Sequence, residues 1–183
     1  MMEHFSPVVT SPKTSPHQNL TGAKRIVKDL AATIHSSIQQ WNNTHIHGVE
    51  VLNAITAMKG DESFPEGLQE LCDTLEKDVD ELDQIVSNLK LSLHQMTAGV
   101  SLHRGPDKLF KTWPNERFVE IAQLIYDAYK DEADLKRKIL ENVAHDSRDS
   151  WKMLHLAAWV HQPMIPHDLN VSLESLLTET GHR

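Results

Sequence analysis

The chain has 183 residues, and with 39% hydrophobic and 5% aromatic content its apolar side chains should work as stripes on helices, not as a thick core. A formal net charge of −8 excludes a general nucleic-acid surface, because neutralising phosphates requires clustered Lys and Arg. One cysteine, Cys72, excludes an internal disulfide and a Cys-based zinc cluster and points to an intracellular setting, and no run approaches the roughly 20 apolar residues that span a bilayer.

Residues 1–20 contain Ser6-Pro7, Ser11-Pro12 and Ser15-Pro16 and few core-forming side chains, which predicts a disordered tail and no signal peptide. Ser6, Ser11 and Ser15 are candidate proline-directed phosphorylation sites. Residues 21–98 read as a long helical hairpin or coiled coil. Its first helix is expected from about Gly22 to Met58, with a stripe of Ile34, Ile38, Trp41, His45, Gly48, Leu52 and Ile55. His45 and Gly48 weaken that stripe, so a kink is expected there.

The second helix, about Pro65 to Ala98, carries the most regular pattern. Leu68, Cys72, Leu75, Val79, Leu82, Val86, Leu89, Leu93 and Met96 alternate at four and three residues, the spacing of a coiled-coil seam. Leu71 and Ile85 broaden the stripe beyond what one helix covers, so more than two helices should meet here. Glu76, Asp78 and Asp83 flank the seam, which favours a partner helix bearing Lys or Arg over a parallel homodimer. The seam residues Leu75, Val79, Leu82, Val86 and Leu89 are therefore candidate partner contacts; the alternative is that they lie in the chain's own core.

Residues 99–183 form a C-terminal helical region. A third helix, about Thr112 to His145, places Phe118, Ile121, Ile125, Ala128, Leu135 and Ile139 on one face, interrupted by Glu132. Thr112 can cap it and Pro114 can sit in its first turn. Two short helices follow, about Asp149 to Gln162 and Asn170 to Thr180, the first stopped by Pro163 and the second by Gly181. Between Trp151 and Val160 only Lys152 and His155 are polar, so this helix must be covered by the chain or by another protein. The expected fold is all-α: an elongated three-helix bundle or coiled coil with two short C-terminal helices packed near one end.

Reactive constellations are sparse. Cys72 falls on the seam and reads as a small buried hydrophobe, and no phosphate loop, dinucleotide turn or nucleophile elbow is present. Glu141 and His145 share a helix face, and a metal-dependent helical-bundle enzyme built on them is the rival class. Lys136-Arg137-Lys138 is the best nucleic-acid candidate, yet three consecutive helical residues spread around the circumference and read as a solvated face. Trp113 and Trp159 are either core anchors or interface anchors, and both join the partner-binding candidates. The residues themselves thus point to a non-catalytic interaction protein with no cofactor.

Three motifs are more specific: Phe110-Lys111-Thr112-Trp113-Pro114, Trp159-Val160-His161-Gln162-Pro163, and the run from Leu173 through Glu179-Thr180-Gly181-His182 to Arg183. Through them the chain resembles the cyclin-dependent kinase 2-interacting protein family from about Leu109 onward, and more loosely at Lys28 to Ala32, Ile38 and Trp41. The resemblance implies an adaptor in DNA replication and the DNA-damage checkpoint, partnered by cyclin-dependent and replication-initiating kinases and checkpoint proteins. It also implies a place, through a coiled coil, among the subunits of an AAA ATPase complex in large ribosomal-subunit maturation, and a nuclear location with a cytoplasmic share.

Overall fold

The computed structural model describes residues 22–61 and 63–183, so Ser6, Ser11 and Ser15 lie outside the described residues. Five helices follow in order: α1 (Ala23–Met58), α2 (Leu68–Ser101), α3 (Glu116–Val143), α4 (Asp149–His161) and α5 (Leu169–Glu179). The first three boundaries match the periodic segments to within a few residues, and the all-α class is as expected.

The α2 stripe faces both long neighbours. Leu68, Leu75, Val79 and Leu82 are fully enclosed, and Ile85, Leu89, Leu93 and Met96 are buried with them. α1 packs along one side of this stripe and α3 along the other, which is why it needed the extra width supplied by Ile85. Cys72 and Val86 lie at its half-buried margin. α1 and α3 run parallel to each other and antiparallel to α2, and they touch each other sparingly.

The furrow between α1 and α3 is where the two short helices lie. Lys152 Nζ donates to the carbonyl of Lys59 at the end of α1 (2.8 Å), and Lys28 Nζ near its start donates to the carbonyl of Gly181 (3.1 Å). α4 and α5 thus run end to end down nearly the whole length of α1. They are not clustered at one end. Together they replace a fourth bundle helix broken at Gln162 to Asp168.

α1 is one uninterrupted helix of 36 residues, continuous through the weak point of its stripe. A Cβ built on Gly48 would lie 2.3 Å from Cζ2 of Trp159. The missing side chain is the notch into which that indole fits, so Trp159 restores the packing that glycine removes. α5 ends as Gly181 predicts: the glycine is left-handed (φ 76°), its N–H donates to Thr178 O, and His182 N–H donates to Leu177 O at 2.9 Å.

Thr112 does not cap α3, which begins four residues later at Glu116 with Pro114 O accepting from Arg117 N–H. Thr112 Oγ1 and the Thr112 and Trp113 N–H groups all donate to the Glu179 carboxylate at 2.6–3.1 Å. This ties the loop before α3 to the end of α5. Burial pushes the Glu179 carboxyl up, but these donors outweigh it and hold it below the usual range.

The notch argument predicts that Gly48→Ala destabilises the protein by about 2 kcal/mol in urea denaturation through overpacking. Helix propensity alone would give a gain of about 1 kcal/mol. Gly60→Ala, whose Cβ meets nothing within 4 Å, should stay within about 0.5 kcal/mol of the parent.

Candidate interaction surface

α4 is anchored through one narrow stripe. Only His155 and Trp159 are buried among its residues. His155 Nε2 lies 2.7 Å from Asp146 Oδ2, a bond that holds the Asp146 carboxyl below the usual carboxylate range, with Arg148 adding to the effect. Trp159 is fully enclosed, and its indole N–H donates to the carbonyl of His45 at 3.2 Å.

Beneath Trp159 lies a buried polar cluster. Lys136 of α3 is fully enclosed; its ammonium donates to Trp159 O at 3.0 Å and to His45 Nδ1 at 3.2 Å, and it sits 4.2 Å from the Trp159 ring centroid. Glu132, one turn earlier and equally enclosed, brings Oε1 to 3.2 Å from the ammonium, and its Oε2 accepts from Met164 N–H at 3.1 Å. Glu132 therefore does not interrupt the α3 face. It is half of an internal ion pair that also satisfies a backbone donor beyond the break in the fourth helix.

Burial sets the protonation of this cluster. Desolvation lowers Lys136 to about 8 even though Glu132 opposes it, and desolvation raises Glu132 against the pull of Lys136 and Met164 N–H. His45 is lowered to about 4 by burial and then by the neighbouring ammonium, so at neutral pH it is uncharged and Nδ1 accepts from Lys136.

The basic run Lys136-Arg137-Lys138 is correspondingly not a solvated face. Arg137 bonds Asp83 and Asp80 (2.8 Å for the latter) on α2, which raise its guanidinium above its ordinary value. Two of three cations thus have partners inside the molecule, and a nucleic-acid footprint loses them. Part of the acidic flank of α2 is likewise met internally: Asp78 lies 2.8 Å from His47 of α1, and Asp83 meets Arg137, while Glu76 is exposed. For Asp83, the Lys or Arg expected from a partner helix comes from α3 of the same chain.

The partner-binding candidates divide accordingly. Leu75, Val79, Leu82 and Leu89 are core residues, with Val86 packed at their edge, because α1 and α3 occupy both sides of the seam. Trp159 is a core anchor. Trp113 is half-buried, its ring 5.3 Å from that of Phe118 and beneath Arg117. Among the described residues no three His, Cys, Asp or Glu side chains are grouped to hold a metal ion, Glu141 and His145 included. No helix there is long and apolar enough to cross a membrane.

What remains open is the outer side of α4. Trp151, Met153, Leu154 and Val160 are exposed by 41–67%, and Met164 follows at 46%. The sequence shows that α4 needs cover on every side; the structure supplies it on one. Next to this ridge, Leu135, Ile139, Trp151, Leu154 and Ala158 line a furrow of about 350 Å³ between α3 and α4.

No family model matches the chain. Cyclin-dependent kinase 2-interacting protein of Homo sapiens is 30% identical over 196 residues, covering 90% of this chain and 92% of that protein. The Xenopus laevis protein of the same name is 30% identical over 208 residues, covering 100% and 99%, and the Mus musculus protein is 29% identical. The chain belongs to the cyclin-dependent kinase 2-interacting protein family. The motifs that carried the family resemblance are structural clamps here: Trp159 fills the Gly48 notch, Gln162 Oε1 accepts from Trp41 Nε1–H at 2.7 Å, and Glu179 binds Thr112 and Trp113.

The lowered His45 gives a defined pH signature. Its cost appears as pH falls from 6.5 toward 4, where the unfolded chain binds a proton that the folded chain resists. Relative to His45→Gln, wild-type stability should decline by about 3 kcal/mol across that window. Parallel curves of stability against pH for the two proteins would contradict the assignment.

Proposed function

We propose that this chain is a non-catalytic adaptor that binds a cyclin-dependent kinase and uses the outer face of α4 as its contact surface. The observation that carries the proposal is the exposed apolar ridge Trp151, Met153, Leu154 and Val160, on a chain related over most of its length to proteins named for a kinase interaction. Apolar side chains concentrated on one short helix mark a binding site more than a random surface does.

The proposed setting is DNA replication and checkpoint signalling in the nucleus and the cytoplasm, with replication-initiating kinases and checkpoint proteins as further partners. Participation in an AAA ATPase complex of large ribosomal-subunit maturation belongs to the same proposal. There the coiled-coil contact assigned to the α2 seam would pass to α4, since α1 and α3 already occupy the seam. Ser6, Ser11 and Ser15 are proposed sites of proline-directed phosphorylation, each adding about −1.5 to −2 charges.

Co-precipitation with cyclin-dependent kinase 2 from cells, read beside far-ultraviolet circular dichroism, tests the reading. Leu154→Asp should keep full helicity and lose the kinase, because the carboxylate stays solvated in the free protein and is desolvated only in the complex. Val79→Asp should lose both, since position 79 is enclosed in the fold. Undiminished kinase capture by a folded Leu154→Asp protein contradicts the placement on α4, and no capture by the wild type contradicts the adaptor reading itself.

A further inference from the structure

We propose that the furrow between α3 and α4 receives an acidic amphipathic helix of a partner protein, an inference that rests on the adaptor reading above. Its floor is apolar, with Leu135 and Ile139 from α3 facing Trp151, Leu154 and Ala158 from α4. α4 is 13 residues long, about 20 Å, so a helix of about four turns could lie alongside it with every third or fourth side chain pointing into the furrow.

Charge selects the occupant. Unlike Lys136 and Arg137, Lys138 on the rim makes no ion pair among the described residues and is exposed. Arg148 sits over the Trp151 ring at 4.9 Å and is 67% exposed. The one carboxylate lining the furrow, Asp146, is already engaged by His155 at 2.7 Å and Arg148 at 3.4 Å. The furrow's edge therefore carries one unpaired cation, Lys138, with Arg148 beside it over Trp151 and already paired to Asp146, a local excess of positive charge on a chain whose net charge is −8. An incoming helix that carries Asp or Glu beside its apolar row meets attraction here and repulsion elsewhere. A second copy of this chain is disfavoured, because a two-fold contact through this face would bring Lys138 and Arg148 toward their own duplicates.

Two synthetic helical peptides of about four turns test the proposal, one with Leu at i, i+3, i+4 and i+7 bordered by Glu and the other identical with Lys in place of Glu. They are titrated into the full-length protein and followed by the indole N–H resonances of its tryptophans. The acidic peptide should shift Trp151 and leave Trp159 in place. Its affinity should fall at least about tenfold in the Lys138→Glu/Arg148→Glu protein, which should in turn prefer the lysine peptide. Equal affinity for the two peptides, no shift at Trp151, self-association abolished by Leu154→Asp, or binding of anionic phospholipid vesicles in place of the acidic peptide would each overturn it. The titration does not depend on the kinase, so loss of kinase capture and loss of peptide binding are separate failures.

Discussion

The arrangement of the last third of the molecule depends on one buried ammonium. Lys136 is enclosed between α1, α3 and α4, a placement that costs several kcal/mol unless every donor finds a partner. Here Glu132, His45 Nδ1, the Trp159 carbonyl and the Trp159 ring surround it. The carbonyl is informative because it belongs to the last turn of α4, where helical C=O groups lack intrahelical partners. Lys136 thus satisfies the end of α4, and Glu132 satisfies Met164 N–H just beyond it. Both sides of the break in the fourth helix are tied to one turn of α3. Pro163 ends α4, and the cluster fixes where that end sits on α3 more than it adds to stability, since replacing such a pair by well-packed apolar side chains is often neutral.

From that anchoring follows the division of α4 into two faces. Its inner stripe is held by Trp159 in the Gly48 notch and by His155 on Asp146. With orientation decided from within, Trp151, Met153, Leu154 and Val160 have nowhere to point but outward. Farther along, the Glu179 clamp on Thr112 and Trp113 and the His182 contact with Lys28 O at 2.8 Å hold α5 in the same furrow. The ridge is therefore presented on a rigid base, which lowers the ordering cost of binding.

Much of the fold was legible in periodicity. The α2 stripe, its extra width at Ile85, the three long helices and the Gly181 stop all follow from spacing and from residues whose backbone preferences are local. What escaped were defects that make sense only in pairs. His45 and Gly48 looked like weak points of α1, Glu132 like a flaw in α3, and Lys136 like a solvated cation. Each is unfavourable alone; Glu132 and Lys136 pair within one turn of α3, but His45, Trp159 and Met164, which complete the cluster and fill the Gly48 notch, come from other segments that no window around α3 contains. The acidic flank of α2 calls for cations from a partner, but Asp83 pairs with Arg137 and Asp78 bonds His47 of the same chain, and the seam closes within the chain. The open face was half visible: the apolar character of α4 announced a need for cover, and only the packed structure tells which side lacks it.

The most direct test of this two-faced helix is hydrogen exchange of the tryptophan indole N–H groups in the unmodified free protein, followed by their separate resonances. The account predicts rapid exchange at Trp151 and strong protection at Trp159, in keeping with their 41% and 0% exposure and the bond from Trp159 to His45 O. Equal exchange at the two would mean that α4 is not pinned through Trp159, and the orientation on which the interaction surface depends would be wrong.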